Sequence, residues 1–168
     1  DYMNFASEHG FEGLLVEGWN KGWYPEWCCS GNGIPFSFTE TVEDFDLELL
    51  SNYGKEKNIS LVGHHETGGQ IQNYENQLED AFTLYNKYGI KNIKTGYVND
   101  VSKNIMRIDE NGNVHREWHH GQYMVNHFQK VIELAAKYKL NIITHEPIKD
   151  TGLRRKYPNY ISREGAKG

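Results

Sequence analysis

Ile59-Ser60-Leu61-Val62-Gly63-His64-His65-Glu66 is an apolar run, too short for a helix, that ends in three ionisable residues. It is followed by Thr67-Gly68-Gly69, a turn signal, so the run predicts a buried strand over 59–64 with its polar groups at the C-terminal end. The same pattern occurs at three other places. Gly13-Leu14-Leu15-Val16-Glu17 ends in a carboxylate. Asn92-Ile93-Lys94-Thr95-Gly96-Tyr97-Val98 carries a lysine within an apolar run, and Leu140-Asn141-Ile142-Ile143-Thr144-His145 runs into Glu146.

Helical segments alternate with these runs. Residues 2–9 are stopped by Gly10, and a helix over about 41–57 opens on Glu43, Asp44 and Asp46 and closes on Lys55 and Lys57, as the helix dipole favours. About 73–88 places Leu78, Ala81, Phe82 and Tyr85 on one face before Gly89. About 122–138 does the same with Met124, Phe128, Val131, Ile132, Ala135 and Tyr138. Residues 99–120 read as a polar, turn-rich excursion with a hairpin at Asn111-Gly112, and 146–168 as mostly loop.

Alternation of this kind predicts parallel βαβ units, with the four strands adjacent in chain order and joined by right-handed crossovers. Doubly wound sheets and barrels share the signature, and the strand ends separate them. Glu17, His64-His65-Glu66, Lys94 and His145-Glu146 place a reactive group at successive C-terminal edges, as barrel enzymes do around one mouth. Glu17-Gly18-Trp19-Asn20 is no phosphate-binding glycine turn. The expected fold is α/β, a partial (β/α)8 barrel of about four βα units over 1–168. Both ends are expected to be cut from a longer domain.

Composition narrows the partners. Eighteen basic against 23 acidic residues give −5, with no basic stripe, which argues against nucleic acid. No apolar run approaches the ~20 residues of a membrane span. Cys28 and Cys29 are vicinal and imply no disulfide framework. Trp19, Trp23, Tyr24 and Trp27 fall within nine residues, a cluster that either stacks on sugar rings or folds over itself.

His64-His65-Glu66-Thr67 and His145-Glu146-Pro147 are two His-Glu pairs at equivalent places in two βα units, which points to one shared site. Glu146 and Glu164, on a returning loop, are the kind of oxygen donors a hard cation takes, although Glu164 alone reads equally as a surface residue. Lys94 either snorkels outward or reaches a substrate oxygen. His119-His120 lacks the partners of a zinc site.

The strings LVEGWN (15–20), HHET (64–67), NYE (73–75), KTGYV (94–98), HHGQYMVNH (119–127), HEP (145–147), TGLRRKYPN (151–159) and REGAKG (163–168) together resemble glycoside hydrolase family 97. The resemblance implies a bacterial, periplasmic or secreted enzyme acting on oligosaccharides. It implies Glu66 and Glu146 as catalytic bases of an inverting α-glucosidase. It also implies sugar contacts from His64, Lys94 and His145, to which Trp19 is added as an aromatic candidate, and Ca2+ held in part by Glu146 and Glu164. The general acid of the family is expected just beyond Gly168, and the excursion over 99–118 is longer than the family pattern. Retaining α-galactosidases of the family carry an aspartate nucleophile where this chain has Gly96, which favours inversion. The alternatives are such a galactosidase, a metal-dependent amidohydrolase barrel (which would need a His-x-His absent here), and a non-catalytic sugar-binding piece. Open sheet edges would invite homo-oligomers. The isolated 168 residues are predicted to be inactive, and maltose hydrolysis by them at an enzyme-like rate would place the acid among Glu17, Glu75 and Glu164 instead.

Overall fold

A computed structural model describes residues 1–23, 35–98 and 105–165. Cys28, Cys29, Tyr24 and Trp27 lie outside these residues, as does the first part of the 99–118 excursion. The elements in chain order are α1 (Tyr2–Glu8), β1 (Gly13–Leu15), α2 (Leu47–Lys57), β2 (Ser60–Glu66), α3 (Ile71–Tyr88), β3 (Asn92–Gly96), β4 (Ile105–Ile108), β5 (Val114–Glu117), α4 (Gln122–Lys137), β6 (Asn141–His145), α5 (Leu153–Lys156) and β7 (Tyr160–Glu164).

β1, β2, β3, β6 and β7 form one parallel sheet in that order. The four expected strands are therefore adjacent, parallel and in chain order, and the sheet with its alternating helices is a partial (β/α)8 barrel. Two expectations are corrected. Residues 160–164 form a fifth strand rather than loop: only Tyr160 of the five is buried here, and Ser162, Arg163 and Glu164 give the run no apolar alternation. The second helix starts at Leu47 and not near Thr41, because Asp46 takes extended backbone and its carboxylate caps Leu49 N–H at 2.9 Å.

Strand pleating divides the chemistry from the core. Leu61, His65, Ile93, Thr95, Ile142 and Thr144 are buried beneath the helices. Their alternates, His64, Glu66, Lys94, Gly96, Ile143 and His145, lie on the face that a complete barrel turns inward. Register aligns them: His64 with Lys94, Glu66 with Gly96, and His145 with Glu164.

The helix faces expected from spacing are the buried ones. Leu78, Ala81, Phe82 and Tyr85 of α3 and Val131, Ile132 and Ala135 of α4 share the main core with Ile93 and Ile142. Gly89 closes α3 with φ 79°, a left-handed conformation that glycine adopts without Cβ strain. A second, smaller cluster joins Ile71, Tyr97, Ile105, Met124, Phe128 and Ile148. The excursion contains the expected hairpin, β4 antiparallel to β5, with Gly112 at φ 82° and Asp109 accepting the N–H groups of Asn111 and Asn113. Both polar groups of the Gln72 amide clamp Ile108 to the start of α3, which puts the hairpin at the strand-end rim.

β2 leaves no room for a side chain at residue 63. A Cβ there would lie 2.3 Å from the Tyr85 ring. Gly63→Ala is predicted to destabilise the chain by about 1–3 kcal/mol, the usual range for core overpacking. An unchanged denaturation midpoint would show that Tyr85 is not fixed beneath the strand.

Candidate active site

Glu66 ends β2 with 3% of its surface exposed. Its Oε1 accepts the N–H of Gly68 at 2.7 Å and of Val98 at 3.1 Å. Its other oxygen lies against Gly96, where a Cβ would come within 2.0 Å. Burial pushes this carboxyl up to about 7, opposed by the Gly68 N–H and reinforced by the Glu146 charge. A carboxylate so tuned exchanges a proton near neutral pH, which is what a general base requires.

Glu146 follows β6 with φ 47°, an uncommon left-handed conformation for a residue with a side chain. Three contacts hold it. Its Oε2 accepts Tyr97 N–H at 2.7 Å, its Oε1 lies 3.1 Å from His145 Nε2, and its carbonyl accepts His119 Nε2–H at 2.8 Å. Consecutive N–H groups, those of Tyr97 and Val98, thus hold Glu146 and Glu66 side by side.

Around them, Lys94 Nζ lies 3.2 Å from Glu17 and 3.4 Å from Glu164. Partial burial alone would lower the Lys94 pKa, but these two carboxylates outweigh it and hold the ammonium form. His64 is buried and pushed down to about 4, by desolvation first and then by Lys94 and His145 against the pull of Glu17. It is neutral at pH 7, so its 3.6 Å approach to Glu17 is no charge pair. His145 Nε2 lies between Glu146 and Glu164, 3.1 and 3.3 Å away. The structure therefore gathers Glu66, Glu146, His64, Lys94, His145 and Glu164 at one end of the sheet, with Glu17 among them.

Trp19 is not part of that mouth. It is 3% exposed, its indole N–H donates to the His64 carbonyl at 2.6 Å, and its ring packs among Phe45, His65 and Tyr85. The expected sugar contact is corrected, because the ring has no face left for a ligand. Among the described residues, Trp23 lies beside the mouth, half-buried and stacked on the His64 ring at 5.8 Å. Tyr97 and His127 were not singled out from the sequence; Tyr97 N–H holds Glu146 and its hydroxyl meets His127, whose other ring nitrogen bonds to Glu75, while His119 bonds to the Glu146 carbonyl. A groove of about 700 Å³ lies between α3 and α4, lined by Glu75, Asn76, Gln129, Lys130 and Glu133, on the helical side away from the paired carboxylates.

Glu146 and Glu164 are hard oxygen donors converging on one imidazole, so they fit a calcium ion in kind. Two carboxylates fall short of the six to eight oxygens the ion takes. Among the described residues no group of three or more His, Cys, Asp or Glu could hold a metal.

Paired carboxylates at the strand ends of a partial barrel, one of them tuned toward neutrality, are an arrangement suited to acid–base hydrolysis. The chain belongs to glycoside hydrolase family 97, whose sequence model matches residues 1–166. A retaining alpha-galactosidase of Bacteroides thetaiotaomicron is 26% identical over 170 residues, which covers 99% of this chain and 20% of that protein. A family 97 enzyme of Pseudoalteromonas sp. strain K8, solved in complex with acarbose, superposes with a TM-score of 0.91 at 53% identity, over 99% of this chain and 25% of that one. A variant of the same enzyme in complex with panose gives the same values. The chain thus spans a fifth to a quarter of the length of these relatives.

Two predictions follow from Glu66. Gly96→Ala is expected to displace the flexible carboxylate rather than the fold, so the full-length enzyme should lose activity by ~10²-fold or more with little change in melting temperature. Retained kcat would show that Glu66 need not lie against residue 96. The second concerns stability. A folded pKa of about 7, against 4.5 unperturbed, means the folded chain keeps a proton that the unfolded chain releases between those values. Stability therefore falls as pH rises from 4.5 to 7, by about 3 kcal/mol at ~1.4 kcal/mol per unit. Glu66→Gln should raise the unfolding midpoint at pH 8 and leave it unchanged at pH 4. Equal shifts at both pH values would contradict this origin.

Proposed function

We propose that the full-length protein is an exo-acting, inverting α-glucosidase in which Glu66, assisted by Glu146, activates water. The observation that carries this reading is the close packing of Glu66 on Gly96. A retaining enzyme of this family needs a nucleophilic carboxylate at position 96, and there a side chain and the Glu66 carboxylate exclude each other. Support for glucose over galactose comes from the 53%-identical neighbour, solved with acarbose and panose, against 26% for the retaining galactosidase.

In this mechanism a water hydrogen-bonded to Glu66 gives up its proton as its oxygen attacks the anomeric carbon, and the bond to the departing oxygen breaks on the opposite face. Lys94, His145 and neutral His64 orient sugar hydroxyls around that carbon. The departing oxygen takes its proton from an acid elsewhere in the protein. Glu75 cannot serve: burial raises its pKa, but hydrogen bonds from His127 and Lys130 outweigh that and hold it near 2. Glu146 and Glu164 would hold a calcium ion together with ligands from other parts of the protein. When bound, the ion supplies a fixed positive charge at the site.

The test is stereochemical. Proton NMR of maltose hydrolysis by the full-length protein should show β-glucose from the cleaved residue before mutarotation. Initial release of the α-anomer would overturn inversion, and cleavage of an α-galactoside with none of maltose would favour the retaining galactosidase type.

A further inference from the structure

Tyr97 holds one catalytic carboxylate through its backbone, and its side chain is anchored in a buried polar chain that the reaction does not touch. The phenol lies 3.0 Å from His127 Nε2, and His127 Nδ1 lies 2.8 Å from Glu75 Oε1. His127 is fully enclosed on α4, Glu75 comes from α3, and Lys130 Nζ holds the second Glu75 oxygen at 2.6 Å. An ionised Glu75 can only accept, so Nδ1 carries the imidazole proton and Nε2 presents its lone pair. The Tyr97 O–H therefore donates to Nε2, with one direction fixed along the whole chain. The phenol ring is held on other sides by Phe128 and His119, at centroid distances of 4.6 and 6.2 Å.

We propose that Glu75, His127 and the Tyr97 hydroxyl form a positioning relay for the catalytic carboxylates. By fixing the Tyr97 side chain, the relay fixes the peptide N–H groups of residues 97 and 98, which hold Glu146 at 2.7 Å and Glu66 at 3.1 Å. A water must be held between base and sugar to within a fraction of an ångström, and a misplacement of ~1 Å can cost ~10²-fold in rate. The relay acts through the backbone and never meets substrate, so its loss should lower kcat and leave KM nearly unchanged. This inference rests on the reading of Glu66 and Glu146 as bases.

The test uses the full-length protein with maltose as substrate. Tyr97→Phe deletes only the hydroxyl, His127→Phe deletes both ring nitrogens, and His127→Gln returns an amide oxygen able to accept from Tyr97. Tyr97→Phe and His127→Phe are expected to lower kcat ~10- to 100-fold with KM within about threefold, and His127→Gln to recover ~10-fold over His127→Phe. If His127→Phe fails to fold by circular dichroism, Tyr97→Phe and the isosteric Glu75→Gln carry the test, both expected to lower kcat with KM held. Wild-type kcat in Tyr97→Phe, a change confined to KM, or no recovery in His127→Gln would overturn the relay. Glu66→Gln, assayed alongside, separates the two levels. Its loss of activity with wild-type Tyr97→Phe sinks the relay alone, whereas its full activity sinks the base reading and the relay with it.

Discussion

Parallel pairing of β2 with β3 brings Glu66 opposite Gly96, and the missing side chain there lets a carboxylate lie flat against the neighbouring strand. A slip of one residue would place Thr95 or Tyr97 opposite and turn Glu66 toward the helices. What prevents the slip lies on the other face, where Leu61, His65, Ile93 and Thr95 are buried under α3 and its neighbours. Apolar burial on one side of the sheet thus fixes the chemistry on the other. The chemical face can then hold costly groups without itself supplying cohesion.

Charge at the mouth is balanced locally. Lys94 is the cation between Glu17 and Glu164, His145 lies between Glu164 and Glu146, and Glu66 has no cation within ion-pairing distance among the described residues. This asymmetry separates the surroundings of the two paired carboxylates. Glu146 has the His145 imidazole beside it at 3.1 Å. Glu66 has only two peptide dipoles, and burial outweighs them. The upward shift of Glu66 is thus set by its environment, burial against two peptide N–H groups.

The main elements of the sheet were legible because alternation of apolar runs and amphipathic helices follows directly from burial on one face. The gathering of Glu66, Glu146, His64, Lys94 and His145 at one end of the sheet was legible because strand ends are where a parallel sheet presents side chains. β7 was not, since a run with Ser162, Arg163 and Glu164 has no apolar alternation to display. Trp19 misled because an aromatic one residue past a strand end and its flanking glycine looks exposed in sequence, whereas the chain turns it back under His64. His127 carried a usable signal that was passed over. It shares the buried face of α4 with Met124, Phe128 and Val131, and an ionisable residue at a core position demands a partner. That the partner is Glu75, 52 residues away on α3, is tertiary information no spacing contains.

The smaller apolar cluster explains how strained and ionisable groups stay in place at the sheet's end. Ile71 follows the Glu66 turn, Tyr97 follows β3, and Ile148 stands two residues after Glu146. Each loop leaving β2, β3 and β6 thus sends one apolar side chain into a common cluster, closed by Met124 and Phe128 of α4 and by Ile105 of the hairpin. The hairpin over 105–117 is in this respect a structural prop as well as a rim. Its Ile105 is fully buried while Met106, Ile108 and Val114 face outward. A left-handed backbone at Glu146 and a buried carboxylate at Glu66 each cost stability, and such costs persist only where the surroundings over-determine the geometry. Here the over-determination is the loop cluster below, the His119 bond to the Glu146 carbonyl, and the two peptide N–H groups between them. The three loops thus share one small core and not three separate anchors.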